Sequence, residues 1–137
     1  MAASNIHLTL VFLGDVEAGR IPDLCALAQS VVAPGFELAI DNVSYWRHNR
    51  IGWLGASETP PQHFELVRAL NGALQRAGFP VDARPHVPHV TLLRNSRGGE
   101  VPACTPVIWP IDDFVLVKSN LDTDGAHYEV IRRWPLG

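Results

Sequence analysis

His7-Leu8-Thr9-Leu10 recurs as His89-Val90-Thr91-Leu92. The chain holds six His, five Thr and fifteen Leu, so chance alone places a His-x-Thr-Leu in such a sequence about 0.02 times. Two copies are therefore a signal. In an extended segment, residues i and i+2 leave the same face about 6–7 Å apart. Each copy thus presents an imidazole beside a hydroxyl, while the leucines and Val90 face the interior. Two such strands facing each other across a cleft bring together two imidazoles and two hydroxyls. That set suits cleavage of a phosphodiester. One neutral imidazole takes a proton from the attacking water, and the other, protonated, gives one to the leaving oxygen. An ordinary histidine pKa near 6.5 fits either role. The hydroxyls of Thr9 and Thr91 donate to the non-bridging oxygens as charge builds there. A single His on a strand is usually a surface or satisfied core residue, and Thr favours strands for its β-branch alone. The duplication carries the reading, not either copy.

The elements that must position these groups are legible from periodicity. Ile6, Leu8, Leu10 and Phe12 alternate with His7, Thr9 and Val11, the period-2 pattern of a half-buried strand. Ile21, Leu24, Leu27, Ala28 and Val31 form a helical stripe, with Pro22 in the first turn and Pro34-Gly35 as the stop. Phe36, Leu38 and Ile40 predict a strand, and Ile51 to Leu54 another beyond the polar loop Arg47-His48-Asn49-Arg50. A second helix opens at Pro60-Pro61, buries Phe64, Val67, Leu70 and Leu74, and ends at Gly78. Arg84-Pro85-His86-Val87-Pro88 is extended, because residues before proline avoid the helical region. It leads into a strand from His89 to Leu93. Asn95 to Pro106 is a loop, and Phe114 to Ser119 and Tyr128 to Trp134 are the last strands. Strands joined mostly by short turns pair antiparallel, which gives an α+β fold in one domain over residues 1–137. The second half roughly repeats the first.

Composition narrows the function further. Apolar residues make up 47% and the net charge is −3, which excludes a disordered chain and a bulk polyanion binder. Phosphate recognition, if present, is local. Ten arginines against one lysine, Lys118, suit oxyanion recognition, although a GC-rich genome accounts for the bias equally simply. Cys25 and Cys104 are too few for a disulfide scaffold or a zinc cage. His86 and His89 lie three apart on an extended segment and point to opposite faces, so no metal is expected. No run approaches the length of a membrane span, and a cytoplasmic protein without membrane contact is the expectation. Tyr45, Trp46 and Trp53 are read as half-buried sheet aromatics, with base stacking as the other role open to them. His48, His63 and His127 are expected at the surface. Arg47 and Arg50 are as compatible with solvated loop positions as with a second phosphate. Gly98-Gly99 lacks the helix and Lys-Ser/Thr of a nucleotide loop.

The segments Asn5 to Gly14 and Arg84 to Arg94, together with Ile51 to Gly55 and the closing strand Tyr128 to Leu136, resemble the two-histidine phosphoesterase superfamily. Within it, the chain is similar to the bacterial RNA 2′,3′-cyclic phosphodiesterases once called 2′-5′ RNA ligases. The resemblance spans nearly the whole chain. It implies a bilobal fold in which pseudo-symmetric antiparallel sheets with flanking helices enclose a cleft. It also implies hydrolysis of 2′,3′-cyclic phosphate ends of RNA or nucleotides to a 2′-phosphate, without metal or other cofactor. By position, His7 matches the proton donor and His89 the acceptor. Thr9 and Thr91 match phosphate-binding hydroxyls, and Arg94 a basic position near the substrate. A non-catalytic nucleotide or RNA-end binding module, or 2′-5′ ligation as the reverse reaction, are the alternatives. Family members begin with an additional strand and helix, whereas Met1 here lies six residues ahead of His7. The expectation is a monomer whose unpaired N-terminal edge offers a route to dimerisation or strand exchange.

Overall fold

The computed structural model describes residues 6–48, 50–81, 88–93, 105–123 and 125–137. A single 3₁₀ turn, Ala18–Arg20, leads into helix α1, Ile21–Ser30. Pro22 sits in its first turn, where a missing N–H costs nothing, and Asp23 places a carboxylate at the positive end of the helix. Helix α2, Pro61–Arg76, begins on a proline in the same way. Gly78 ends it at φ +85°, and the Phe79 N–H donates back to the Leu74 carbonyl at 3.0 Å, a turn that favours glycine.

The strands are β1 (Phe36–Ile40), β2 (Asn42–Trp46), β3 (Ile51–Gly55), β4 (Val90–Leu93), β5 (Val107–Ile111), β6 (Asp113–Asp122) and β7 (Gly125–Pro135). Among the described residues they form three antiparallel sheets: β1 with β5, β2-β3-β4, and the long ribbon β6–β7. The fold is α+β with antiparallel pairing, as expected. Leu66 and Leu70 from α2, Cys25 and Ala28 from α1, and Phe114 and Trp134 from the ribbon make the main core. The Phe114 and Trp134 rings stack at 5.4 Å. Among the described residues no helix is long and apolar enough to cross a membrane.

Several sequence expectations need correction. Among the described residues the segment 6–12 is not a strand: it makes one antiparallel bridge, Leu8 to Val90. Its supposed inward face is partly outside, with Ile6 48% and Phe12 77% exposed. Alternation shows which face prefers burial, but a strand also needs a neighbour along its length, and here the ladder touches at one residue pair. The apolar stripe of α2 is rotated from the one expected. His63, Leu66, Val67, Leu70, Ala73 and Leu74 are buried and Phe64 is exposed. His63 is thus a core residue, 1% exposed and set edge-on against Phe36 and Phe64, not a surface one. Its spacing of three and four from Leu66 and Val67 puts it on the buried stripe. Strands β2 and β5 were not anticipated. The predicted extended run Arg84 to Val87, most of the loop Asn95 to Pro106, Gly98-Gly99, Cys104 and Arg94 lie outside the described residues.

Candidate active site

The central sheet determines the geometry. On β3 and β4, Trp53 pairs with Thr91 and Leu54 with Val90, with a bulge beside Gly52 that leaves Leu92 unopposed. On the other side of β4, Leu8 pairs with Val90. Continued one residue to either side of that bridge, an antiparallel register would set His7 across from Thr91 and Thr9 across from His89. Side chains alternate between faces, so Leu8, Leu54 and Val90 share one face. Thr91 and Trp53 share the other, the face that His7, Thr9 and His89 would join in the continued register. Directly opposed residues in such a ladder have Cβ atoms about 4.5–5.5 Å apart and diagonal ones roughly 7–8 Å. In that continued register the two imidazoles would occupy one diagonal of a four-membered patch and the two hydroxyls the other. The two motif segments meet side by side at the Leu8–Val90 bridge.

Exposure fits a working site. His7 is exposed, Thr9 and His89 are half-buried, and Thr91 is buried at 9%. Neither histidine is sealed from solvent.

Aromatic rings enclose the patch. Trp46 pairs with Ile51 and Ser44 with Trp53, which puts both indoles on the histidine face. They pack with centroids 4.8 Å apart at 34°. The His89 ring stands edge-on to Trp46 at 4.7 Å and to Trp53 at 6.3 Å. Trp53 folds over Gly55, where an added Cβ would lie 2.5 Å from the indole Cζ3. On the far side, Tyr128 of β7 meets the His7 ring at 4.8 Å and 67°. The contact with Tyr128 was missed in the sequence, as was the packing of both tryptophans around His89. Nothing local marks either, since each joins segments far apart in the chain.

The strand ends beside the site are clasped by Asp41. Its carboxylate accepts from the Ser57 amide at 2.7 Å and the Ser57 hydroxyl at 2.6 Å. The hydroxyl, followed by the amide, holds the Asp41 carboxyl below the ordinary value of 3.8. The Asp41 amide in turn donates to the Gly55 carbonyl at 3.1 Å, which ties the end of β1 to the end of β3.

Comparison with known proteins sharpens this picture. The family model for LigT like Phosphoesterase matches residues 2–53. The RNA 2′,3′-cyclic phosphodiesterase of Escherichia coli (strain K12) is 33% identical over 138 residues, spanning 99% of this chain and 78% of that protein. The chain belongs to the LigT-like phosphoesterase family. A second family member, the RNA 2′,3′-cyclic phosphodiesterase of Geobacillus stearothermophilus, is 32% identical over 146 residues. That alignment takes in 96% of this chain and 46% of the longer relative. The fold agrees with that of the family: the crystal structure of E. coli LigT complexed with 3′-AMP superposes with a TM-score of 0.90 at 34% identity. The match covers 98% of this chain and 79% of that one.

Proposed function

We propose that this chain hydrolyses the 2′,3′-cyclic phosphate at RNA or nucleotide ends to a 2′-phosphate, with His7 as the acid and His89 as the base. The observation that carries the reading is the Leu8–Val90 bridge, which brings the two His-x-Thr segments side by side. Relatives bearing the name RNA 2′,3′-cyclic phosphodiesterase over nearly the full chain support it, as does the likeness to a LigT structure that holds 3′-AMP. The roles of the two histidines follow the positions they hold in the family's motif.

In this mechanism neutral His89 accepts a proton from water as its oxygen attacks phosphorus. The bond from phosphorus to the 3′-oxygen breaks, and protonated His7 delivers its proton to that oxygen. The product keeps the phosphate on the 2′-oxygen and a free 3′-hydroxyl. Thr9 and Thr91 donate to the non-bridging oxygens, where negative charge accumulates. Arg94 supplies a further cation toward the substrate phosphate. The free, buried thiol of Cys25 suits a reducing compartment such as the cytoplasm.

The test is hydrolysis of a nucleoside 2′,3′-cyclic monophosphate by the 137-residue chain in excess chelator. Turnover persists, and His7→Ala and His89→Ala each lower it on the order of 10²–10⁴-fold. Rate against pH is bell-shaped, since one imidazole must be protonated while the other is not. Tight binding without turnover by the parent chain, or full activity in either alanine variant, refutes the assignment.

A further inference from the structure

We infer that Tyr128 is a positioning residue for His7, a role that rests on the reading of His7 as the acid. His7 comes from a segment that meets the sheet at one residue pair, and its side chain is exposed. Among the described residues one backbone bridge leaves the direction of the imidazole to its side-chain contacts. Proton transfer needs the donor within hydrogen-bond reach of the leaving oxygen, and a displacement of 1 Å can cost about a hundredfold in rate. Something must hold the ring.

Tyr128 is built to do so. Its ring meets that of His7 at 4.8 Å and 67°, the edge-to-face arrangement that aromatic quadrupoles favour. It pairs with Ser119 across the β6–β7 ladder. The same ladder carries Phe114 and Trp134, buried at 8% and 4% and stacked on each other in the core. Tyr128 thus borrows rigidity from the ribbon and lends it to a histidine whose own segment has little. The contact is between rings, so the aromatic body does the positioning. His89 receives the equivalent support from Trp46 within its own sheet.

The experiment compares Tyr128→Phe and Tyr128→Leu in the 137-residue chain, with a nucleoside 2′,3′-cyclic monophosphate as substrate. Tyr128→Leu lowers kcat at least tenfold with KM within twofold, and Tyr128→Phe stays within twofold of the parent in both. In NMR spectra, His7 ring protons (assigned with His7→Ala) show a ring-current shift and a cross-relaxation contact to Tyr128. Tyr128→Leu abolishes that shift and Tyr128→Phe keeps it. Parent-like kcat in Tyr128→Leu overturns the proposal. So does a loss confined to KM, which would assign Tyr128 to substrate binding, or a Tyr128→Phe as poor as Tyr128→Leu, which would assign the role to the hydroxyl. Should Tyr128→Leu not fold, the contact is read in the parent chain, and its absence there is equally fatal. A parent chain without turnover sinks the hydrolase reading separately; the NMR result still decides whether Tyr128 orders His7.

Discussion

The second copy of the tetrapeptide starts a strand with neighbours on both sides, and its imidazole is wedged against two indoles. The first copy touches the same ladder at Leu8, and its imidazole lies exposed with Tyr128 at its edge. Behind it a cavity of about 1100 Å³ is lined by every residue from Ile6 to Val16. That cavity does not reach His89 or Thr91. The same His-x-Thr-Leu pattern thus receives unlike support. A catalytic motif supplies chemical groups, while the rigidity with which they are held comes from whatever packs against them.

The contrast can be tested at four residues. The largest effect is expected from removing a hydroxyl. Thr91→Val and Thr9→Val should each lower kcat by about 10²–10³-fold if the hydroxyls act as oxyanion donors. Thr91, fixed in the packed strand, should give the larger loss of the two. Steady-state kinetics on both variants decides this, and a change confined to KM would assign the hydroxyls to ground-state binding.

A smaller effect is expected at Gly55. An alanine Cβ there collides with the Trp53 ring, and Trp53 is pinned against Trp46, so the pair shifts beneath His89. Gly55→Ala should cost about 1–3 kcal/mol of stability as an overpacked site, and roughly tenfold in kcat through His89. The NMR signals of His7 should stay where they are. Movement of both histidines would mean that the two halves of the site are more tightly coupled than their packing implies.

The smallest effect belongs to Ser57. Asp41 has its carboxyl held below the ordinary range by the Ser57 hydroxyl and amide. Its contribution to stability is therefore complete above the unfolded value near 3.8 and fades as pH falls through the lower, folded one. Ser57→Ala removes the leading cause, so its melting temperature should lie slightly below the parent's at neutral pH, the gap closing in acid below about pH 4. A gap that widens in acid would contradict this sign.

Much of the architecture was legible in the sequence. Both helices, strands β1, β3, β4, β6 and β7, and the antiparallel α+β class follow from periodicity and from the Pro and Gly that punctuate it. Strand β2 escaped, although Asn42 and Ser44 alternate with Val43 and Tyr45, because only Asp41 separates it from β1 and a polar turn follows it. Strand β5 is five residues at a sheet margin, Pro110 among them and three with exposed apolar side chains, so no burial pattern betrays it. His63 was misread from its residue type, although helical spacing already placed it on the buried stripe of α2. For the site, His7, Thr9, His89 and Thr91 were legible because a duplicated motif needs no tertiary information. The pairing of Leu8 with Val90 was not, since register is a property of two segments and is written in neither. The aromatic walls were hidden for the same reason: Trp46, Trp53 and Tyr128 look like ordinary sheet aromatics until the ladder sets two of them against one imidazole and the third against the other.

The bridge between Leu8 and Val90 has one more consequence. Strands carry their side chains in odd and even sets, and moving a pairing by a single residue exchanges the sets. Transplanting this pair of tetrapeptides onto another scaffold would therefore succeed or fail on phase, before distance or chemistry entered. An engineer who preserved that one odd–even match would carry the four groups across as a unit, and one who lost it would bury two of them.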